Sequence, residues 1–216
     1  KDGITDCDKD KSEGDALITY MLLSINHTGP DFSDFKWVDD GIMLGHNRLS
    51  ILDLSEDGNQ PFCYNHFTIV FNGEVYNYLE LKKELEKKGY RFKTKTDTEV
   101  IIVAYQEWGS DCVNRFVGMW AFAIWDNIEK KLFCSRDRFG IKPFYYFIFN
   151  NSFYFASEVK ALKQVKNFPA SIDSEMISLF LHLGWHTYSE KTLYSNIFLI
   201  PSGCNLTINR DLKITL

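Results

Sequence analysis

Asn72-Gly73-Glu74 is the stretch of this 216-residue chain whose residue types could steady a developing negative charge. An Asn side-chain amide and a neighbouring glycine N–H, held side by side, offer two donors to an oxyanion. Glu74 sets a carboxylate beside them. The run before it, Phe67-Thr68-Ile69-Val70-Phe71, is β-branched and aromatic and reads as a buried strand. Asn-Gly favours positive φ, so the strand is expected to break there in a tight turn whose N–H groups point at a ligand. The same dipeptide is the strongest short hairpin signal, and read alone the stretch favours a hairpin over a site.

A second carboxylate stands in Thr96-Asp97-Thr98-Glu99, a capping-box pattern that predicts a helix over Val100 to Trp108. On this reading Asp97 is a helix-start carboxylate. His46 is expected to pack or bond locally. The cysteines are five, an odd number, with no Cys-x-x-Cys. That argues against a disulfide framework or a zinc site and fits a reducing, cytoplasmic setting.

The elements that must hold these residues are short. Leu17, Tyr20, Met21, Ser24 and Ile25 fall at helical spacing, so Asp15 to Asn26 is expected to be a helix, preceded by a solvated tail over Lys1 to Gly14. Strands are expected at Phe35 to Val38, Ile42 to Arg48, Phe67 to Asn72, Tyr90 to Lys93, Met119 to Asp126, Lys131 to Arg136, Phe144 to Asn150, Ser152 to Ser157 and Cys204 to Ile208. Helices are expected at Tyr78 to Lys88, Glu158 to Gln164 and Asp173 to Leu183. The pattern is α+β with antiparallel, hairpin-connected sheets. Hydrophobic content is 45% and charged content 25%, and the aromatic fraction of 16% predicts a ring-rich core. A net charge of −5 gives no reason to expect nucleic acid, and no apolar run is long enough to span a membrane.

His27-Thr28-Gly29-Pro30-Asp31, Leu44-Gly45-His46-Asn47-Arg48-Leu49-Ser50-Ile51, Phe67 to Asn77, Thr96 to Val100, and Ser135-Arg136-Asp137-Arg138-Phe139-Gly140-Ile141-Lys142-Pro143 occur in this order and spacing. Together they resemble the glutaminase domain of asparagine-synthetase-like proteins, a class II glutamine amidotransferase among the N-terminal nucleophile hydrolases. The resemblance implies a single domain over residues 1–216 with a four-layer αββα sandwich of two facing antiparallel sheets. Residues from about 165 onward would lead toward a synthetase domain absent from this chain. It implies that Arg48 grips the substrate α-carboxylate, with Leu49 and Ile51 in the same binding motif. Asp97 would take the α-ammonium, Asn72 and Gly73 would form the oxyanion hole, and Glu74 would contact substrate. For Arg48 the plain alternative is a surface ion pair. Arg136, Asp137 and Arg138 are taken as structural.

The chemistry so implied is attack on the glutamine side-chain amide by an N-terminal cysteine thiolate whose own α-amine acts as base. Glutamate and ammonia are released, the ammonia going to an ATP-dependent amide-forming domain in cis or trans. No cofactor is expected in this domain, ATP and Mg belonging to the synthetase, and a homodimer is compatible with it. Two positions depart from the family: Asp2-Gly3-Ile4 stands where it has Cys-Gly-Ile, and Thr28 stands where it has Arg. Cys7 is followed by Asp8-Lys9-Asp10-Lys11, which cannot make a buried strand. Cys63, Cys112 and Cys134 are internal, lack an α-amine, and read as small buried hydrophobes. Two readings stay open: a glutaminase whose natural N-terminus differs from this sequence, or a non-catalytic module that keeps the fold as an amino-acid-binding scaffold.

Overall fold

Phe67–Val75 pairs along its whole length with Gly118–Asp126, and this pair is the centre of the larger sheet. The computed structural model describes residues 6–50, 55–169, 171–184 and 190–216. In chain order the elements are α1 (Asp6–Ser24), β1 (Phe32–Asp39), β2 (Ile42–Arg48), β3 (Phe62–Tyr64), β4 (Phe67–Val75), α2 (Tyr78–Lys87), α3 (Asp97–Trp108), β5 (Gly118–Asp126) and β6 (Lys131–Arg136). There follow β7 (Tyr145–Phe149), β8 (Ser152–Ala156), α4 (Val159–Leu162), α5 (Ser174–Leu183), β9 (Phe198–Leu199), β10 (Asn205–Asn209) and β11 (Ile214–Thr215). One antiparallel sheet has the order β11-β10-β6-β5-β4-β3. Opposite it lie the hairpin β1-β2 and the sheet β8-β7-β9.

Side chains alternate across each strand, and the alternation builds the layers. From β4 and β5, Ile69, Phe71, Trp120, Phe122 and Ile124 pack against Val100 to Tyr105 of α3 and Leu81 and Leu85 of α2. From the opposite faces, Val70, Ala121, Ala123 and Trp125 meet Leu44 of β2, Tyr146 of β7 and, at their margin, Phe153 and Phe155 of β8. The outer face of β7 and β8 then packs Phe147 and Tyr154 on Met21 of α1 and Ala161 and Leu162 of α4. Three apolar interfaces thus separate four layers, the αββα sandwich. Rings stack across the core, as in Tyr105 on Phe133 with centroids 5.0 Å apart. Fully burying a Phe or Ile side chain is worth about 1.5–3 kcal/mol.

Several expectations need correction. α1 starts at Asp6, so the expected polar tail is helical from there on. Its C-terminal half is anchored by Met21 and Leu22, both buried, and by Trp37 of β1, whose Nε1 donates to Asp15 at 2.7 Å. Propagating a helix from such an anchor is far easier than nucleating one. The strand expected at Tyr90 to Lys93 does not form; instead Lys93 N donates to Glu99 at 2.9 Å. The capping box is half made. Thr96 Oγ1 accepts from Glu99 N, but the Glu99 carboxylate turns to Lys93 and Thr94 rather than back to Thr96. Most important, β4 does not turn at Asn72-Gly73 but runs on as strand to Val75. The other hairpins form as expected, with Asn150 and Asn151 at φ 47° and 56° between β7 and β8.

Candidate active site

Antiparallel pairing turns the backbone groups of alternate residues to opposite edges of a strand. On β4, Phe67 and Ile69 face Tyr64 and Phe62 of β3. Two residues on, Phe71 keeps the same orientation, its N–H and carbonyl both held by the Gln60 side chain. Val75 N, on the same edge, donates to Asp97 Oδ2 at 2.9 Å. Gly73 lies between them, so its N–H is directed to that outer edge and not into the β5 ladder. Its cross-strand neighbour Trp120 agrees, with both backbone polar groups engaged on Asp137 of the far side. Gly73 has φ +152°, and a Cβ there would sit 2.1 Å from Met119 O, so only glycine fits.

The edge opens into a cavity of about 810 Å³ lined by Arg48, Leu49, Asn72, Gly73, Glu74 and Asp97 among others. It runs on beneath α1, between β2 and β8, over Val70 and Ala121. Pockets of several hundred Å³ suit a small-molecule ligand. The site residues named from sequence therefore line one cavity, except Asp2 and Ile51, which lie outside the described residues. Leu49 is 55% exposed at the cavity rim. Asn72 Nδ2 reaches Ser157 Oγ, just after β8, at 3.4 Å.

Arg48 is buried at the end of β2. Its Nη1 donates to Ser55 O at 2.7 Å and to Asn59 Oδ1 at 2.8 Å. Gly58 lets the guanidinium lie flat: a Cβ there would stand 2.3 Å from Nη2 and 3.2 Å from Thr96 Cγ2. That contact brings Arg48 beside the start of α3, where Asp97 is also buried. Arg48 thus lies in the interior and not on the surface. Burial pushes the Asp97 carboxyl up to about 6, the hydrogen bond from Val75 opposing this and the nearby Glu74 charge adding to it. The cavity thus carries a buried guanidinium and a buried carboxyl, with an outward N–H between β4's two clamps. Such a set can hold the two ends of an amino-acid head group and a side-chain carbonyl.

His46 bonds to Phe71 O at 3.0 Å through Nε2. The carbonyl can only accept, so the proton sits on Nε2, and Nδ1 is a buried acceptor without a partner among the described residues. Burial holds the imidazole down to about 4, hence neutral. Cys112 and Cys134 are buried as expected; Cys63 is exposed, with Lys36 Nζ 3.0 Å from its sulfur. Asp137 and Arg136 bond to backbone groups alone, consistent with a structural role. Sequence reading missed Gln60, Gly58 and Ser157. Gln60 and Gly58 lie in a polar loop without periodicity, and their partners are set by strand register. Among the described residues, no group of His, Cys, Asp and Glu could hold a metal, and no helix is long and apolar enough to cross a membrane.

Comparison with known proteins agrees with this architecture. The model of the glutamine amidotransferase domain family matches residues 2–215. Glutamine-hydrolysing asparagine synthetase 1 of Bacillus subtilis is 40% identical over 94% of this chain and 32% of its own length. Asparagine synthetase 3 of the same organism is 36% identical over 88% and 31%. This chain therefore spans about a third of these relatives. Glutamine phosphoribosylpyrophosphate amidotransferase from B. subtilis, solved with ADP and GMP, aligns with a TM-score of 0.57 over 80% of this chain and 34% of that one, at 20% identity. This last likeness bears on the fold alone. The chain belongs to the glutamine amidotransferase domain family.

Proposed function

We propose that this domain binds L-glutamine in the cavity beside β4 and serves its hydrolysis to glutamate and ammonia for an ATP-dependent amide-forming unit. The observation that carries the reading is the cavity lining: buried Arg48, buried Asp97 and the edge residue Gly73 share one cavity. Arg48 binds the α-carboxylate through its planar fork. Asp97, ionised, takes the α-ammonium. Gly73 N–H and the Asn72 amide then meet the side-chain carbonyl, where negative charge develops on attack. Leu49, Ile51 and Glu74 complete the substrate contacts, and no cofactor is needed here. The amide-forming unit, with ATP and Mg, is the partner, and its acceptor is the business of that unit.

The nucleophile is the part without a carrier: Asp2 occupies its position, and a carboxylate attacks an unactivated amide poorly. Asp2 is also what favours the second reading, a glutamine-binding scaffold without hydrolysis. The polypeptide as written is expected to release no measurable glutamate. Removing Lys1 and changing Asp2→Cys puts a thiol and a free amine on one residue. Glutamate release by that variant, several powers of ten above the parent, supports a competent site. Tight glutamine binding without release by the variant favours the scaffold.

A further inference from the structure

Gln60 lies in the loop between β2 and β3 with its side chain buried, at 7% exposure. The β3–β4 register sets Phe62 against Ile69, so two more residues of pairing would bring residue 60 opposite Phe71. A side chain does this work instead. Gln60 Oε1 accepts Phe71 N–H at 2.6 Å, and Nε2 donates to Phe71 O at 3.3 Å. These are the two bonds a partner strand would make. Nε2 also reaches Thr98 Oγ1 at 3.4 Å, which ties the amide to α3. His46 Nε2 supplies a second donor to Phe71 O. The ladder therefore ends on an amide side chain at Phe71. A backbone partner continuing one pair further would cover Gly73 N–H.

We propose that Gln60 is a positioning residue: it ends the β3–β4 ladder at Phe71 and so leaves the outward Gly73 N–H uncovered and held in place at the cavity. What the N–H meets rests on the glutaminase reading; the aim of the N–H does not. Gln60→Leu keeps the approximate volume and removes both bonds. Gln60→Glu keeps both only as the neutral acid, whose carbonyl accepts and whose O–H donates; the carboxylate cannot donate to Phe71 O. The titratable and charged groups that share this part of the cavity with Gln60 are His46 and Arg48 from β2, Glu74 from β4 and Asp97 from α3, so each variant is compared with wild type at the same pH.

The readouts, on the full ¹⁵N-labelled chain at pH 5 and pH 8, are the Gly73 amide resonance and its titration with L-glutamine. In Gln60→Leu the resonance should move and glutamine affinity should fall roughly tenfold. Gln60→Glu should behave like wild type at pH 5 and like the Leu variant at pH 8, a pattern that mere packing would not produce. An unmoved Gly73 resonance in the folded Leu variant overturns the proposal. Should that variant not fold, the Glu variant decides, and equal behaviour relative to wild type at both pH values overturns it. If wild type itself binds no glutamine, the glutaminase reading fails, while the Gly73 resonance still decides the role of Gln60.

Discussion

Asp137 and Asp97 are both buried carboxylates, 0% and 5% exposed, and they are used in opposite ways. Asp137 accepts from four backbone N–H groups, those of Trp120, Phe139, Ile141 and Lys142. Its neighbour Arg136 spends its donors on the carbonyls of Lys142, Ile200 and Gly140. That region is braced by its own backbone. Asp97 accepts from Val75 N–H, assisted by the Thr98 amide and its own, but burial outweighs them, and it lines the cavity. Its raised carboxyl is the mark of a charge that folding has not compensated. A buried charge satisfied by backbone braces a fold; one left short is suited to a partner from outside.

The contrast predicts a reversal of mutant effects. Asp137→Ala strands four N–H groups and should cost about 3–5 kcal/mol, read as a fall in the denaturation midpoint. Asp97→Asn keeps an acceptor for Val75 N–H and removes a charge that burial penalises, so at pH 7 it should leave stability unchanged or raise it. The same Asp97→Asn change should weaken glutamine binding about 10- to 100-fold, since a charge-assisted bond to the ammonium is worth ~1.5–3 kcal/mol.

pH sharpens the comparison. The Asp97 carboxyl is raised from 3.8 to about 6 on folding. The folded state thus holds its proton more tightly, and the group's contribution to stability is complete below 3.8 and is lost as pH rises through about 6. Denaturation curves of wild type and Asp97→Asn should accordingly shift in the variant's favour over this window. Glutamine affinity should run the other way, rising with pH through about 6 as Asp97 ionises, and should lose that rise in the Asn variant.

Much of this was legible in the sequence because the signals were local. The apolar run of β4, the Asn150-Asn151 turn and the Arg48 and Asp97 motifs depend on residues near one another in the chain. The failures share one cause. Asn72-Gly73 has turn chemistry, yet nine-residue pairing with β5 overrides it, and Gly73 meets the demand for an unusual φ within a strand. Tyr90 to Lys93 has strand residues but no partner strand, and Glu99 takes the Lys93 N–H. Gln60 carries no motif because its partner, Phe71, is fixed by the register of two other strands. The polar start of α1 reads as a tail because its stability comes from packing at the other end.

The central claim is that Arg48 and Asp97 clamp the head group of glutamine, and calorimetry on wild type beside Arg48→Lys tests it most directly. Lys keeps the positive charge but loses the fork and the bonds to Ser55 and Asn59. The account predicts saturable L-glutamine binding at one site per chain and an affinity roughly tenfold weaker in the Lys variant. Equal affinities for the two proteins, or no binding by wild type, would contradict it.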